Sequence, residues 1–149
     1  MIRDDAAEAL ARAEFFDICD DQQRSMLAFA GDTRFVNADE VLYKAGDTPE
    51  GALVLIEGTL RVRPEGAGRP YALSEPGSVI SALALVLDKP RPITVTAVTD
   101  ARVLVVPRQA FRKLMQQSPD LAERAAERIQ QEISGYLGAL EPLRRRMKD

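Results

Sequence analysis

Ser81 and Arg91, ten residues apart, are the residues of this chain whose types and surroundings could do chemistry. They lie in the stretch PGSVISALALVLDKPRPITVTAV, residues 76–98. Its first part, Ser81 to Leu87, is apolar and opened by a hydroxyl, which predicts a short helical turn capped by Ser81. The first N–H groups of such a turn lack intrahelical partners and favour anions. Arg91 stands between Pro90 and Pro92, just before an alternating strand from Ile93 to Val98. A guanidinium facing the turn would complete a small, partly buried phosphate site. Two plainer readings stand beside this one: Arg91 as a solvated or ion-paired loop arginine, and Ser81 as a helix cap and nothing more.

Other chemistry is narrowed by what is missing. The 149 residues contain no histidine, which removes Ser-His and Cys-His catalysis and histidine metal sites. Cys19 is the single cysteine, so there is no internal disulfide or thiolate cluster, and its neighbours Phe15, Phe16 and Ile18 predict a buried thiol. Acidic residues are scattered on helix faces and in turns, not paired as carboxylate hydrolysis requires. The net charge of -3 gives no support to general nucleic-acid binding. The acidic start does not read as a signal peptide, and the apolar run Val79 to Leu87 is too short to cross a bilayer. The expectation is a cytoplasmic, non-enzymatic protein without a metal.

The elements that must position Ser81 and Arg91 follow from periodicity. Residues 5–14 are rich in helix formers, Phe15, Phe16 and Ile18 form an apolar anchor, and Asp20 or Asp21 caps a second helix over 21–30. Met26, Leu27, Phe29 and Ala30 are its expected inward face. From there to Pro107 short runs of β-formers recur between turn signals: 34–36, 41–43, 52–56, 59–63, 71–74, 93–98 and 102–106. That spacing predicts an antiparallel sandwich or jelly-roll barrel. Helix returns over 108–117, with Ala110, Phe111, Leu114 and Met115 on one face. Ser118 then caps a longer helix, on which Ala122, Ala126, Ile129, Ile133, Tyr136, Leu140 and Leu143 recur like an a/d seam. Such a seam fits a homodimer through 119–141, or packing back on the chain's own barrel. The fold class is therefore mostly β with flanking helices: a double-stranded β-helix (jelly roll) with N-terminal helices and a long C-terminal helix. One domain is expected, divided into 1–31, 32–107 and 108–149.

This arrangement resembles the cyclic nucleotide-binding domain, the sensor module of catabolite-activator-type transcription factors and of protein kinase A regulatory subunits. EFFDICDDQQRSMLAFA is similar to the family's entry segment, and VLYKAGDTPEGALVLIEGTLRV to its strand–turn core, with Gly46, Asp47 and Gly58 at the turns. DARVLVVPRQAFRKLMQQSPDL resembles the last strand and following helices. The family's phosphate cassette, Phe-Gly-Glu-x-Ala-Leu followed by Pro-Arg-x-Ala-Thr-Val, falls on Ile80 to Leu85 and Pro90 to Val95. By that resemblance Arg91 pairs with the cyclic phosphate, and Leu83, Ala84, Leu85, Pro90, Thr94 and Val95 match as well. Ala82 stands where the family has the glutamate that accepts from the ribose 2′-hydroxyl. Ser81 replaces a glycine, Pro92 a small residue and Ile93 an alanine. Losing the bond to a charged acceptor costs about 1.5–3 kcal/mol, roughly ten- to a hundredfold in affinity.

The resemblance implies a sensor in which Arg91, Ser81, Ala82, Leu83 and Thr94 surround a cyclic nucleotide or other phosphorylated small molecule. It needs no cofactor beyond that ligand. Ser134 or Tyr136 could reach a base from the C-terminal helix. The alternative is a ligand-free dimerisation or protein-interaction module whose pocket is filled by Leu83, Leu85 and Ile93. About ten residues follow the long helix, too few for a helix-turn-helix, so no DNA-binding domain is expected and a separate effector protein is implied. The basic run Arg144 to Lys148 reads as a solvated helix end.

Overall fold

The computed structural model describes residues 2–66 and 68–131. Helix α1 (Ile2–Arg12), a 3-10 turn (Glu14–Ile18) and helix α2 (Asp21–Ala30) come first. Strands follow: β1 (Asp32–Val36), β2 (Val41–Tyr43), β3 (Gly51–Glu57), β4 (Leu60–Pro64), β5 (Tyr71–Leu73) and β6 (Val79–Ile80). After a second 3-10 turn (Ala82–Leu85) come β7 (Ile93–Ala97), β8 (Ala101–Pro107) and helix α3 (Arg108–Gln117), then a fourth helix, α4, over 119–131. The strands form two four-stranded antiparallel sheets, in the orders β1-β8-β3-β6 and β2-β7-β4-β5. This is the predicted jelly roll.

The two sheets differ in what covers them, and their sequences show it. In β4, Leu60 and Val62 are buried while Arg61 and Arg63 are exposed, the alternation of a sheet with one wet face. In β3 and β8 the apolar runs are nearly continuous because both faces are covered. Ala52, Val54, Ile56, Leu104 and Val106 meet the helices, whereas Leu55, Ala101 and Val103 meet the other sheet. The helical layer is built around Phe15, Phe16 and Phe111, whose rings lie 5.1–6.4 Å apart.

Local signals explain most boundaries. Asp20 caps α2: its carboxylate accepts from Gln23 N at 2.7 Å, and Gln23 Oε1 accepts from Asp20 N at 2.9 Å. Ser118 Oγ accepts from Leu121 N at 3.4 Å at the start of α4. Helix α4 is tied to the first 3-10 turn by Arg124 Nε donating to Ile18 O at 2.9 Å and Arg128 to Glu14 O at 2.8 Å.

Four expectations need correction. Of the proposed inward face of α2 only Leu27 is buried; Met26 and Phe29 are 47% and 70% exposed, and Ala30 is exposed. A ten-residue helix lying on the cluster through one stripe buries few positions. The helical turn expected over Ser81 to Leu87 is present but shorter, the four-residue 3-10 turn Ala82–Leu85, and the apolar residues before it, Val79 and Ile80, form β6, which pairs with β3. Residues 13 and 14 are not α-helical, since α1 ends at Arg12. On α4 the buried stripe is Leu121, Ala125 and Ile129, with Ala126 exposed and Ala122 half-buried, so this part packs on its own chain. Ile133, Ser134, Tyr136, Leu140, Leu143 and the run Arg144 to Lys148 lie outside the described residues.

Candidate functional site

A cavity of about 160 Å³ opens between the sheets beside β2, β3 and β7. Leu42, Leu53, Val95 and Val105 form its apolar wall, and Arg34, Tyr43, Asp47 and Ser81 are among its polar lining. Arg34 is engaged there, its guanidinium 3.0 Å from both Asp32 and Glu50. The hydrogen bond to Asp32 leads in raising its pKa, with Glu50 adding to it, so this cation stays charged and already has its anions. The pair is 44% exposed on the arginine side and contributes little to stability.

Arg91 is held differently. Its main chain is pinned against the turn that follows β2. Gly46 N donates to Arg91 O at 3.2 Å, and Arg91 N donates to Tyr43 Oη at 3.0 Å and to Asp47 O at 3.4 Å. Next to it Glu65 N donates to Pro92 O at 2.8 Å. The side chain is half-buried, and its Nε is the one buried side-chain polar atom without a hydrogen-bond partner among the described residues. The guanidinium is therefore not a freely solvated loop arginine, and among the described residues it has no ion pair.

The other sequence-predicted site residues fall into two groups. Ser81 lines the cavity but does not cap the helical turn. It adopts a left-handed backbone, φ 63° and ψ 45°, and its side chain makes no capping bond. A serine here holds a conformation that glycine adopts without cost. Ser81→Gly is expected to raise stability by about 1 kcal/mol, read as a higher urea midpoint at unchanged slope; a lower midpoint would contradict the strain. Ala82 and Leu83 pack against the helical cluster and do not line the cavity. Thr94 is half-buried, and its Oγ1 accepts from Ala45 N at 3.1 Å, which makes it a strut for the same turn. Leu85 is fully buried in the helical cluster and Ile93 packs on the barrel cluster, so neither of these, nor Leu83, fills the cavity.

Arg108 has a functional look that its sequence does not announce. Arg108, with an 11% exposed side chain, donates from Nε to Ala84 O at 2.7 Å and from a terminal nitrogen to Pro49 O. Its main-chain N donates to Glu50 O at 2.9 Å, and it lies 3.3 Å from Asp88. It thus joins the cavity lip, the turn after Ser81 and the start of α3. The sequence offered no period or motif for it, because all its acceptors are main-chain carbonyls or distant in sequence. Cys19 is buried as expected, and burial pushes its thiol up to about 11 against the pull of Arg24, so at neutral pH it is protonated and unreactive. Among the described residues no cluster of acidic or sulfur ligands could hold a metal, and no helix is long and apolar enough to cross a membrane.

Comparison with known proteins agrees with the fold. A regulatory subunit of cAMP-dependent protein kinase from Emericella nidulans is 32% identical over 93 residues, covering 62% of this chain and 23% of that protein. The lysophospholipase nte1 of Aspergillus fumigatus is 28% identical over 101 residues, covering 66% of this chain and 7% of the enzyme. The chain therefore spans under a quarter of the length of these curated relatives. Among solved structures, the N-terminal domain of a transcriptional regulator from Streptomyces coelicolor superposes with a TM-score of 0.72 at 23% identity, covering 89% of this chain and 94% of that one. That likeness speaks for the fold. The family model of the cyclic nucleotide-binding domain matches residues 33–118, more than half of the chain, from within β1 to the end of α3. With that match laid over the jelly roll and its pinned arginine, the chain belongs to the cyclic nucleotide-binding domain family.

Proposed function

We propose that this chain is a non-enzymatic, cytoplasmic sensor domain that takes a small phosphorylated ligand at Arg91. The carrying observation is the buried, unpartnered Nε of that arginine. A buried donor without an acceptor costs about 1–3 kcal/mol, and such orphans in a folded protein call for a missing partner. A phosphate oxygen is a strong acceptor for guanidinium N–H groups and would supply it. Ser81, which lines the neighbouring cavity, and the N–H groups of Ala82 and Leu83 are the further anion contacts proposed, with Thr94 bracing the turn that holds Arg91. The relative named as a cAMP-dependent regulatory subunit supports a cyclic nucleotide as one candidate. Ala82 supplies no carboxylate to a ribose hydroxyl and Pro92 no N–H, so cyclic AMP should bind weakly here.

Calorimetry with cyclic AMP, cyclic GMP, ribose 5-phosphate and inorganic phosphate tests the reading. At least one should bind saturably, and Arg91→Ala should reduce that affinity by a hundredfold or more. Buffer-level heats for all four at millimolar concentration would remove it. A second reading, a ligand-free module that dimerises through 119–141 or docks on a separate effector, is favoured by one feature. The cavity of about 160 Å³ is smaller than the roughly 300 Å³ at which small-molecule sites begin. The same titration decides between them.

A further inference from the structure

We infer that Tyr43 is the positioning residue for Arg91, a role that rests on the anion-site reading but can be tested apart from it. The argument starts with donors. In the sequence Pro90-Arg91-Pro92 both flanking residues lack a main-chain N–H, so Arg91 carries the only one of the three. That N–H goes to the Tyr43 hydroxyl at 3.0 Å, with a longer contact of 3.4 Å to Asp47 O. The hydroxyl in turn donates to the carbonyl of Asp47. One phenol oxygen therefore accepts from the arginine and donates to the turn after β2, locking the two segments together.

The remaining ties complete the clamp. Gly46 N donates to Arg91 O, and Glu65 N holds Pro92 O, so the main chain is fixed on both sides of the arginine. Tyr43 is also part of the cavity lining, whereas Arg91 is not. It is thus the link between the cavity wall and the main chain that carries the half-buried arginine. A phenylalanine at 43 keeps the ring and its packing on the barrel cluster but removes both bonds at once. With no proline N–H to substitute, the 90–92 segment keeps only the long contact to Asp47 and its carbonyl bonds.

The test reads Arg91 directly. In proton–nitrogen spectra of the full chain, the buried Nε–H of Arg91 is assigned by its loss in Arg91→Lys, and its exchange with solvent is measured without ligand. Tyr43→Phe should speed that exchange at least tenfold while the global melting temperature stays within a few degrees. Tyr71→Phe, which removes a hydroxyl from the exposed tyrosine of β5, should change neither. Unchanged exchange in Tyr43→Phe overturns the inference. Should Tyr43→Phe not fold, the exchange of the Arg91 main-chain N–H in the native chain takes over. Protection well above that of the exposed loop residues Lys44 and Lys89 supports the clamp, and exchange as fast as theirs overturns it. Addition of inorganic phosphate and of cyclic AMP gives a second arm. In the native chain the Nε–H resonance should shift, and in Tyr43→Phe affinity should fall about tenfold. Affinity lost with exchange unaltered would make Tyr43 a ligand contact and not a positioning residue. A native resonance that no probe shifts refutes the anion site while leaving the exchange result to judge Tyr43.

Discussion

Gly51→Ala should destabilise the chain by about 4 kcal/mol or prevent folding, the largest single effect expected from a one-methyl change. Gly51 is buried at the start of β3, paired with Pro107 and lining the cavity. A Cβ there would stand 1.8 Å from Val106 O and 3.0 Å from Arg108 N. Both obstacles are main chain, so no side-chain rotamer can relieve the clash. The strand pair must open, and with it the bond from Arg108 N to Glu50 O. Urea unfolding measures the loss, which at 2–4 °C per kcal/mol for a chain of this size lowers the melting point by roughly 10 °C. A variant within 1 kcal/mol of the parent would mean that β3 and β8 do not approach this closely.

Phe111→Ala should cost about 3–5 kcal/mol. The ring is fully buried, 6.3 Å from Phe15 and 6.4 Å from Phe16, in the cluster that joins α1, α2, α3, α4 and one face of sheet β1-β8-β3-β6. Its removal leaves a void where these elements pack together, and the surrounding helices cannot all close on it. The consequence reaches the site, because Phe111 anchors the helix whose first residue, Arg108, holds Ala84 O and Pro49 O. Denaturation measured on the purified variant checks it; a loss under 1 kcal/mol would show that the three rings do not form one packed unit.

The candidate site was only half legible beforehand. Arg91 stood out because two prolines and an alternating strand frame it, and the structure does place it half-buried with an unpaired Nε. Ser81 was marked for its hydroxyl, yet what distinguishes it is its backbone, since a left-handed φ is invisible in a serine's chemistry. Ala82 and Leu83, one and two residues along, pack against the helices and not the cavity. Tyr43 and Arg108 carried no local signal. Their partners lie from 4 to 59 residues away and, the Asp88 carboxylate apart, are main-chain atoms, which leave no trace in residue type.

Local chemistry was enough for the elements: alternating Leu60-Arg61-Val62-Arg63, the Asp20–Gln23 box and the glycine turns each declare themselves within a few residues. It was also enough for the jelly roll, since strand spacing and apolar runs reflect how many faces each sheet buries. What it could not decide was which apolar residues face the core on α2 and α4, because a helix offers several near-equal stripes and its neighbours choose among them. Nor could it decide what surrounds the arginine. The clamp of Tyr43, Gly46 and Asp47 on Arg91 is made of contacts between segments more than forty residues apart, and only the folded chain brings their donors and acceptors within reach.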